Sequence, residues 1–173
     1  QVYAPVVARA GRREESCVLV GCSREYMSVM DSRVVQGRDL YAAEWQEGAR
    51  SVLLGEALAQ DLGAGPGDLL SVAGIPFRVR GTVEQRNELS QVEASGAVFL
   101  PIAVFCELMG QSVHEITLSV PDGLMPQAVA AMAQDVMRVK RGMGVEAVTM
   151  QVQIEAANSV ISIFVDVLKW VCL

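Results

Sequence analysis

A short segment near the start of the chain has the beginning of a hydrolase nucleophile motif. Residues 21–25 read Gly-Cys-Ser-Arg-Glu. Glu25 stands where a nucleophile elbow needs a second glycine, because the strand-to-helix turn leaves no room there for a side chain. Ser23 is predicted instead to cap a helix at residues 24–30, since its hydroxyl can accept hydrogen bonds from the exposed N–H groups of the first turn.

Three other patterns also lack the partners that their chemistry requires. The glycine-rich residues 63–68 follow a predicted helix and carry no Lys-Ser/Thr pair, so they do not fit a phosphate-binding loop. His114, the only histidine, has no Ser or Cys partner visible in the sequence. Glu14 and Glu15 follow two arginines in a predicted turn, which favours a solvated tip over a general acid/base pair. We therefore predict no enzymatic activity and no cofactor.

The cysteines do not suggest a metal site. Cys17, Cys22, Cys106 and Cys172 form no Cys-x-x-Cys pair and no Cys/His spacing typical of zinc. If residues 17–22 form one extended strand, its two cysteines lie about 16 Å apart, farther than the roughly 4.4–6.8 Å between the Cα atoms of a disulfide. The other pairings, and the redox compartment, stay open.

Composition limits the classes of partner. The chain has 173 residues, a net charge of −6 and few aromatic residues, and its basic residues are scattered. Nucleic acid is therefore excluded as a partner, because binding to phosphates requires a basic surface. The length suffices for one sizeable domain or two small lobes.

Residues 160–173, VISIFVDVLKWVCL, are almost wholly apolar. Fourteen helical residues span about 21 Å, whereas a bilayer core takes roughly 20 apolar residues to cross. We interpret the run as a truncated transmembrane helix and the chain as an excised segment of a membrane protein. The alternative is an amphipathic helix packed on its own domain, because Asp166 and Lys169 share one helical face.

Segments from both ends of the chain predict one α/β lobe. Residues 2–8 and 16–20 are rich in β-formers and predict a hairpin, and residues 113–120 and 145–150 predict two more strands. Pro126 begins a helix between these two, which Gly142 and Gly144 end. This order favours a βαβ unit, so residues 1–22 and 112–150 together predict a discontinuous lobe.

The middle of the chain, residues 23–111, predicts an inserted β-rich lobe. Its glycine-bounded strands are expected at residues 33–38, 50–55, 69–74, 77–83 and 97–101. Residues 56–62 and 102–109 predict short helices, and residues 74–76 predict a hairpin turn. The polar residues 84–95 predict a solvated loop between two strands.

Five short motifs follow one another between residues 20 and 101. They read VGCSREY at 20–26, GR at 37–38, SVLLGEALA at 51–59, GD at 67–68 continuing to IPFRVRG at 75–81, and VFLP at 98–101. In this order, and followed by a predicted βαβ unit and an apolar helix, they resemble the MacB-type extracytoplasmic domain of ABC transporter permeases. The family often has Val-Ile-Gly where this chain has Val79-Arg80-Gly81, a change that a solvent-facing strand position accommodates.

The resemblance implies an α+β, two-lobed fold: a porter-like lobe from both chain ends, the inserted β-rich lobe, and a stalk helix over residues 151–173 that leads into the membrane. It implies a domain outside the inner membrane that couples ATP-driven motion to export of a lipid, lipoprotein, peptide or small toxic compound. The implied partners are an ABC ATPase, a second permease subunit and a periplasmic adaptor protein.

Two other functions remain as alternatives. The domain would recruit or activate an extracytoplasmic enzyme, or it would be a soluble ligand-binding protein. For the first alternative, the predicted docking surfaces are the polar loop and the tip at residues 11–15. The candidate residues are the charged and amide residues of the loop: Glu84, Arg86, Asn87, Glu88 and Glu93.

Overall fold

The structure, a computed structural model, describes residues 1–46, 48–85, 93–110, 115–120, 123–141, 145–147 and 149. The chain divides into two compact units, Gln1–Leu118 and Ser119–Leu173. Among the described residues, the first unit contains seven strands and four α-helices, and the second contains one α-helix of 16 residues.

The strands of the first unit are β1 (Val2–Ala10), β2 (Arg13–Cys22), β3 (Ser32–Gly37), β4 (Ser51–Gly55), β5 (Leu69–Val72), β6 (Ile75–Gln85) and β7 (Ala97–Pro101). Its helices are α1 (Arg24–Val29), α2 (Ala42–Gln46), α3 (Glu56–Leu62) and α4 (Ile102–Met109), and a single 3₁₀ turn covers Ala94–Gly96. In the second unit, α5 covers Pro126–Arg141.

All seven strands belong to one sheet. The strand order is β3-β6-β4-β7-β2-β1-β5, and β5 also pairs with β6. Six strands therefore form a closed ring of pairings, with β3 attached to the outside of β6. The long strand β6 makes this possible, since its first residues pair with β5 while its last residues pair with β3.

The central strands are buried on both faces, which gives the first unit two apolar cores. Alternate residues of β4 face opposite sides: Val52 and Leu54 lie in one core and Leu53 lies in the other. The first core is covered by α3 and α4 through residues such as Leu58 and Phe105. The second is covered by Tyr26, Met27, Met30 and Trp45 of α1, α2 and their flanks. Because strand side chains alternate, continuous apolar runs suit this arrangement.

The sequence predicted several elements closely. The predicted helices at residues 56–62 and 102–109 are confirmed as α3 and α4, and β4, β7 and the β1–β2 hairpin are also confirmed. The two helices end at Gly63 and Gly110, whose φ angles of 60° and 62° suit glycine. The β5–β6 turn differs from the prediction: its central residues are Ala73 and Gly74, both with positive φ, and Ile75 already belongs to β6.

The predicted βαβ unit is not confirmed. Its helix is present as α5, but residues 115–120 and 145–147 form no strand. Ile116 and Leu118 are more than half exposed, so the burial that stabilises a half-buried strand is lacking. The structure also places the β1–β2 hairpin elsewhere than expected, because β2 pairs in parallel with β7 and β1 pairs with β5.

The predicted three-part division stays a prediction. The boundary between the compact units, at Leu118, differs from the predicted lobe boundaries at residues 22 and 111. The predicted stalk, residues 151–173, lies outside the described residues, as do Gly142 and Gly144. Within the described part of the chain, every helix is too short or too polar to cross a bilayer.

Candidate functional site

The structure describes only the two ends of the predicted docking loop, residues 84–95. Glu84 lies near the end of β6 with its side chain exposed, and Glu93 is exposed just before the 3₁₀ turn, where its Oε1 accepts a hydrogen bond of 2.9 Å from Ser95 Oγ. Arg86, Asn87 and Glu88 lie outside the described residues. The structure thus places two of the five candidate residues at the base of the loop, both of them acidic.

The C-terminal end of the docking loop packs against Gly55. A Cβ atom built on Gly55, at the junction of β4 and α3, would lie only 2.6 Å from the carbonyl carbon of Ser95. Real Cβ atoms do not approach backbone atoms so closely. Gly55 therefore lets the 3₁₀ turn pack directly on the end of the central strand.

A polar cluster on the same unit centres on Glu44 of α2. Glu44 Oε2 accepts hydrogen bonds from Arg38 Nη1 at 2.6 Å and from the Tyr41 backbone N–H at 2.9 Å. Its Oε1 accepts from Arg38 Nη2 at 3.2 Å and from Ser51 Oγ at 3.0 Å. Arg80 Nε lies 2.9 Å from Oε1 and also donates to Ser51 Oγ at 3.0 Å. This cluster joins α2, the loop after β3, β4 and β6.

The electrostatics of this cluster favour the ionised carboxylate. The side chain of Glu44 is only 12% exposed, and the hydrogen bonds from Arg38 are the main reason that its pKa is lowered to about 2. The same interaction raises the pKa of Arg38 above its usual range. A carboxylate held by several donors strengthens a tertiary contact only while it is ionised. The Glu44 carboxylate therefore stays ionised over the ordinary range of pH, and the cluster stabilises the packing of α2 on β4 and β6.

Tyr41 lies on the solvent side of this cluster. Its side chain is 64% exposed, and the guanidinium carbon of Arg38 lies 3.8 Å from the centre of its ring. An aromatic ring in this position is held by a cation–π contact on one face. Arg38 itself is fixed by Glu44, so the exposed ring is pre-organised.

Sequence reasoning did not find this cluster. One signal was available: Tyr41 and Glu44 have the spacing of a capping box, in which the residue at N3 reaches back to the N-cap N–H. The participation of Arg80 and Ser51 was not visible, because it depends on how β4 and β6 pair.

Ser23 occupies the predicted N-cap position of α1, but its hydroxyl accepts no capping hydrogen bond. Its partner is instead the Glu25 carboxylate, and hydrogen bonds from the Glu25 backbone N–H and from Ser23 lower the pKa of Glu25. The prediction is thus correct for the position of Ser23 and wrong for the bond. His114 lies outside the described residues.

The glycine-rich residues 63–68 connect α3 to β5 and use their backbone groups internally. The Gly65 N–H donates to Asp68 Oδ2 at 2.8 Å, and the Gly67 N–H donates to the Val79 carbonyl at 2.8 Å. These N–H groups are thus engaged within the fold. The segment is a helix-to-strand connection.

Two shallow clefts lie on the first unit. One, of about 110 Å³, is lined by Gln36, Glu56, Ala59, Gln60, Ala64 and Thr82. The other, of about 220 Å³, is lined mainly by residues of α1 and residues 115–117, with Gln1 and Ile102. Both are smaller than the roughly 300–1,000 Å³ typical of small-molecule pockets. Among the described residues, no three His, Cys, Asp or Glu side chains converge as a metal site would require.

Comparison with known protein families identifies the family of this domain. The model of the MacB-like periplasmic core domain matches residues 1–136, which is most of the chain. The chain belongs to the MacB-like periplasmic core domain family. The resemblance drawn from its motifs is thereby confirmed, and the chain is an extracytoplasmic part of a membrane permease.

Solved structures show the same fold as this MacB-like domain. The extracellular domain of the noncanonical ABC-type transporter YknZ from Gram-positive bacteria is 15% identical, with a TM-score of 0.70 over 86% of this chain and 78% of that one. The periplasmic region of MacB from Actinobacillus actinomycetemcomitans is 17% identical, with a TM-score of 0.69 over 83% and 66%. A domain of a putative permease from Porphyromonas gingivalis is 13% identical, with a TM-score of 0.58 over 81% and 70%. No curated protein sequence matches the chain significantly.

Membership of the MacB-like family also bears on the chemistry. Domains of this family are transporter permease segments without catalytic activity of their own, and ATP hydrolysis is the task of a separate subunit.

Proposed function

We propose that this domain couples the ATP-driven motion of a separate ABC ATPase to export or extraction of a substrate outside the inner membrane. The observation that carries the proposal is the family match over residues 1–136.

The mechanical path in this proposal runs through the end of the chain. In this proposal, the apolar residues 160–173 would begin a transmembrane helix, and residues 151–159 would form the stalk above it. A continuous helix transmits displacement along its axis, so movement at the membrane reaches the lobes outside it. Gly142 and Gly144 would allow bending where the stalk joins the domain.

The proposed mechanism has two lobes. The porter-like lobe would consist of residues 1–22 and 112–150, and the inserted β-rich lobe would consist of residues 23–111. The two lobes would move relative to each other. The ring of strand pairings ties β1 and β2 to strands of residues 69–101. Relative movement would therefore require those ladders to shift, and a cross-link between β1 and β5 tests this directly. Export that survives the cross-link would count against lobe motion.

The proposed partners are an ABC ATPase, a second permease subunit of the same or another kind, and a periplasmic adaptor protein. The substrate class, whether lipid, lipoprotein, peptide or small toxic compound, is open within this proposal. Export is measured in cells that carry the full-length permease and its ATPase. ATP-dependent export that is lost when the permease is deleted supports the proposal, and unchanged export overturns it.

A second candidate function is recruitment or activation of an extracytoplasmic enzyme. Its support is the position of Glu84 and Glu93, two exposed carboxylates at the base of one loop. A deletion that lowers the activity of an extracytoplasmic hydrolase while leaving export unchanged would favour this function over transport.

A further inference from the structure

Helix α5 of the second unit carries an exposed row of apolar side chains. The members of this row recur at alternating intervals of four and three residues: Met125, Val129, Met132, Val136 and Val139. Val129 is half-buried, and the other four are between 51% and 80% exposed. In the described part of the second unit, residues 145–147 form no strand that would cover the row. An apolar row along a helix normally faces another apolar surface.

The spacing of the row is that of a coiled-coil seam. Apolar residues at alternating intervals of four and three occupy positions a and d of a heptad, and two such helices wind around each other. Val129 and Val136 take position a, whereas Met125, Met132 and Val139 take position d. The Met125 carbonyl accepts the Val129 N–H at 3.2 Å, so the row begins in register with the helix. We propose that α5 binds α5 of a second copy of this chain as a short, parallel, two-stranded coiled coil.

The charges beside the row select both the occupant and its direction. Asp135 takes position g on one side of the row, and Lys140 takes position e on the other side. In a parallel pair, a residue at g meets the residue at e that lies five positions further along the other helix. Asp135 of each copy would therefore meet Lys140 of the other. In an antiparallel pair, g faces g and e faces e, so neither residue would find an opposite charge.

Both charged residues can make this contact. Asp135 Oδ1 accepts a hydrogen bond of 2.7 Å from Arg138 of the same helix, and its side chain is 65% exposed. Its second carboxylate oxygen has no partner among the described residues. Lys140 is exposed at the last turn of α5. A second copy thus supplies an opposite charge to each residue without breaking the bond to Arg138.

The residues at position a indicate two strands. Val129 and Val136 are β-branched, which at position a of a parallel coiled coil favours a dimer over larger assemblies. A seam of about two heptads is too short to hold two free chains together. The inference therefore rests on the proposed second permease subunit, because subunits of one membrane complex hold their helices at a high effective concentration.

The test is disulfide cross-linking of the full-length permease in its native membrane, in a Cys106→Ser, Cys172→Ser background. In a parallel dimer each d residue faces its own counterpart, so Met132→Cys and Val139→Cys are each expected to give a linked dimer after oxidation with copper–phenanthroline. Ala131→Cys is the matched control, because Ala131 is also exposed on α5 but lies outside the row. We expect no linked dimer from position 131.

Charge reversal tests the direction of the pair. Asp135→Lys, added to the Met132→Cys chain, is expected to lower the yield of linked dimer about threefold or more, because two attractive pairs become repulsive. Adding Lys140→Asp as well places opposite charges together again and is expected to restore the yield.

Light scattering of the same purified permease shows separately whether two subunits are present. A dimer without a disulfide at positions 132 and 139 would overturn the α5 contact and leave the second subunit in place. An equal product from position 131, a disulfide to a different protein, or a yield that charge reversal leaves unaltered would also overturn it. A monomeric permease would overturn the α5 contact and the proposed second subunit together.

Discussion

Gly21 of β2 lies directly against Phe105 of α4. A Cβ atom at position 21 would be 2.7 Å from Phe105 Cγ and 2.9 Å from Val2 Cγ1. The ring of Phe105 is completely buried in the first core, so it has no space into which to retreat. The absence of a side chain at position 21 is therefore a packing requirement of the fold.

The first prediction concerns this contact. Gly21→Ala is expected to lower the free energy of unfolding by about 1–3 kcal/mol, because overpacking forces neighbours off their preferred geometry. Urea denaturation of the isolated domain measures it. Gly65→Ala is the control, since a Cβ there meets nothing within 4 Å. Equal stability of the two variants would contradict the packing argument.

The second prediction concerns the pH dependence that Glu44 confers. Its pKa is lowered to about 2 in the folded state, so its stabilisation is fully present above its unfolded value of 4.5 and is lost as the pH falls through about 2. Glu44→Gln is expected to cost about 1.5–3 kcal/mol at pH 7, with a smaller difference from the wild type at pH 2.5. Unfolding curves at several pH values measure both.

The control for Glu44 is Glu14→Gln. Glu14 forms an ion pair with Arg9, but both side chains are about half exposed. Exposed pairs contribute about 0–1 kcal/mol. If the two variants lose the same stability, or if the Glu44 variant shows the same decline towards low pH as the wild type, the proposed role of the cluster is wrong.

A third prediction concerns the cysteines of β2. Burial raises the pKa of Cys17 to about 11, and burial raises the pKa of Cys22 even further. Thiolates are the reactive form, so both residues are expected to react slowly with a maleimide at pH 8. Cys106, which is less buried, is the internal comparison in a Cys172→Ser background. Labelling of Cys22 as fast as Cys106 would argue against the described core.

A fourth prediction concerns Ser23 and His114. Ser23→Ala is expected to change the free energy of unfolding by less than the roughly 1 kcal/mol typical of a capping serine, because its hydroxyl makes no capping bond. Neither Ser23→Ala nor His114→Ala should reduce ATP-dependent export. Loss of export by a stably folded variant would reveal a site that this interpretation excludes.

The fifth prediction concerns the base of the polar loop. Replacing Glu84 and Glu93 together by Gln is expected to weaken binding of an extracytoplasmic partner several-fold, since both carboxylates are exposed, and rim charges mainly affect association. Co-purification with the full-length permease measures it. The control replaces Asp61 by Asn and Glu107 by Gln, two exposed carboxylates of α3 and α4. Equal loss in both pairs would contradict a special role of the loop.

Local structure was readable from the sequence where apolar runs and glycines coincide. The glycine-bounded run at residues 50–55 placed β4, and the helix predicted directly after it, at residues 56–62, is α3. Likewise, Pro101 and Gly110 bound α4. Each of these signals depends on residues within one element, which is why they could be recognised without knowledge of the fold.

Long-range pairing was not readable in the same way. The parallel ladder of Val20 with Phe99 joins a strand that precedes the middle region to a strand near the end of that region, and no local pattern specifies it. The Glu44 cluster depends equally on the β4–β6 ladder that brings Ser51 near Arg80. The strand predicted at residues 113–120 also depended on long-range pairing. The alternation of Ile116 and Leu118 predicts a strand only if another element covers one face, and residues 115–120 form no strand.

The ring of pairings β6-β4-β7-β2-β1-β5 has a mechanical consequence. An open sheet can be unzipped from its edge one hydrogen bond at a time, but each strand of a closed ring has a neighbour on both sides. A tensile load on one of these strands is then shared by two ladders, and rupture requires shear of both together. Only β3, outside the ring, can peel away without opening it.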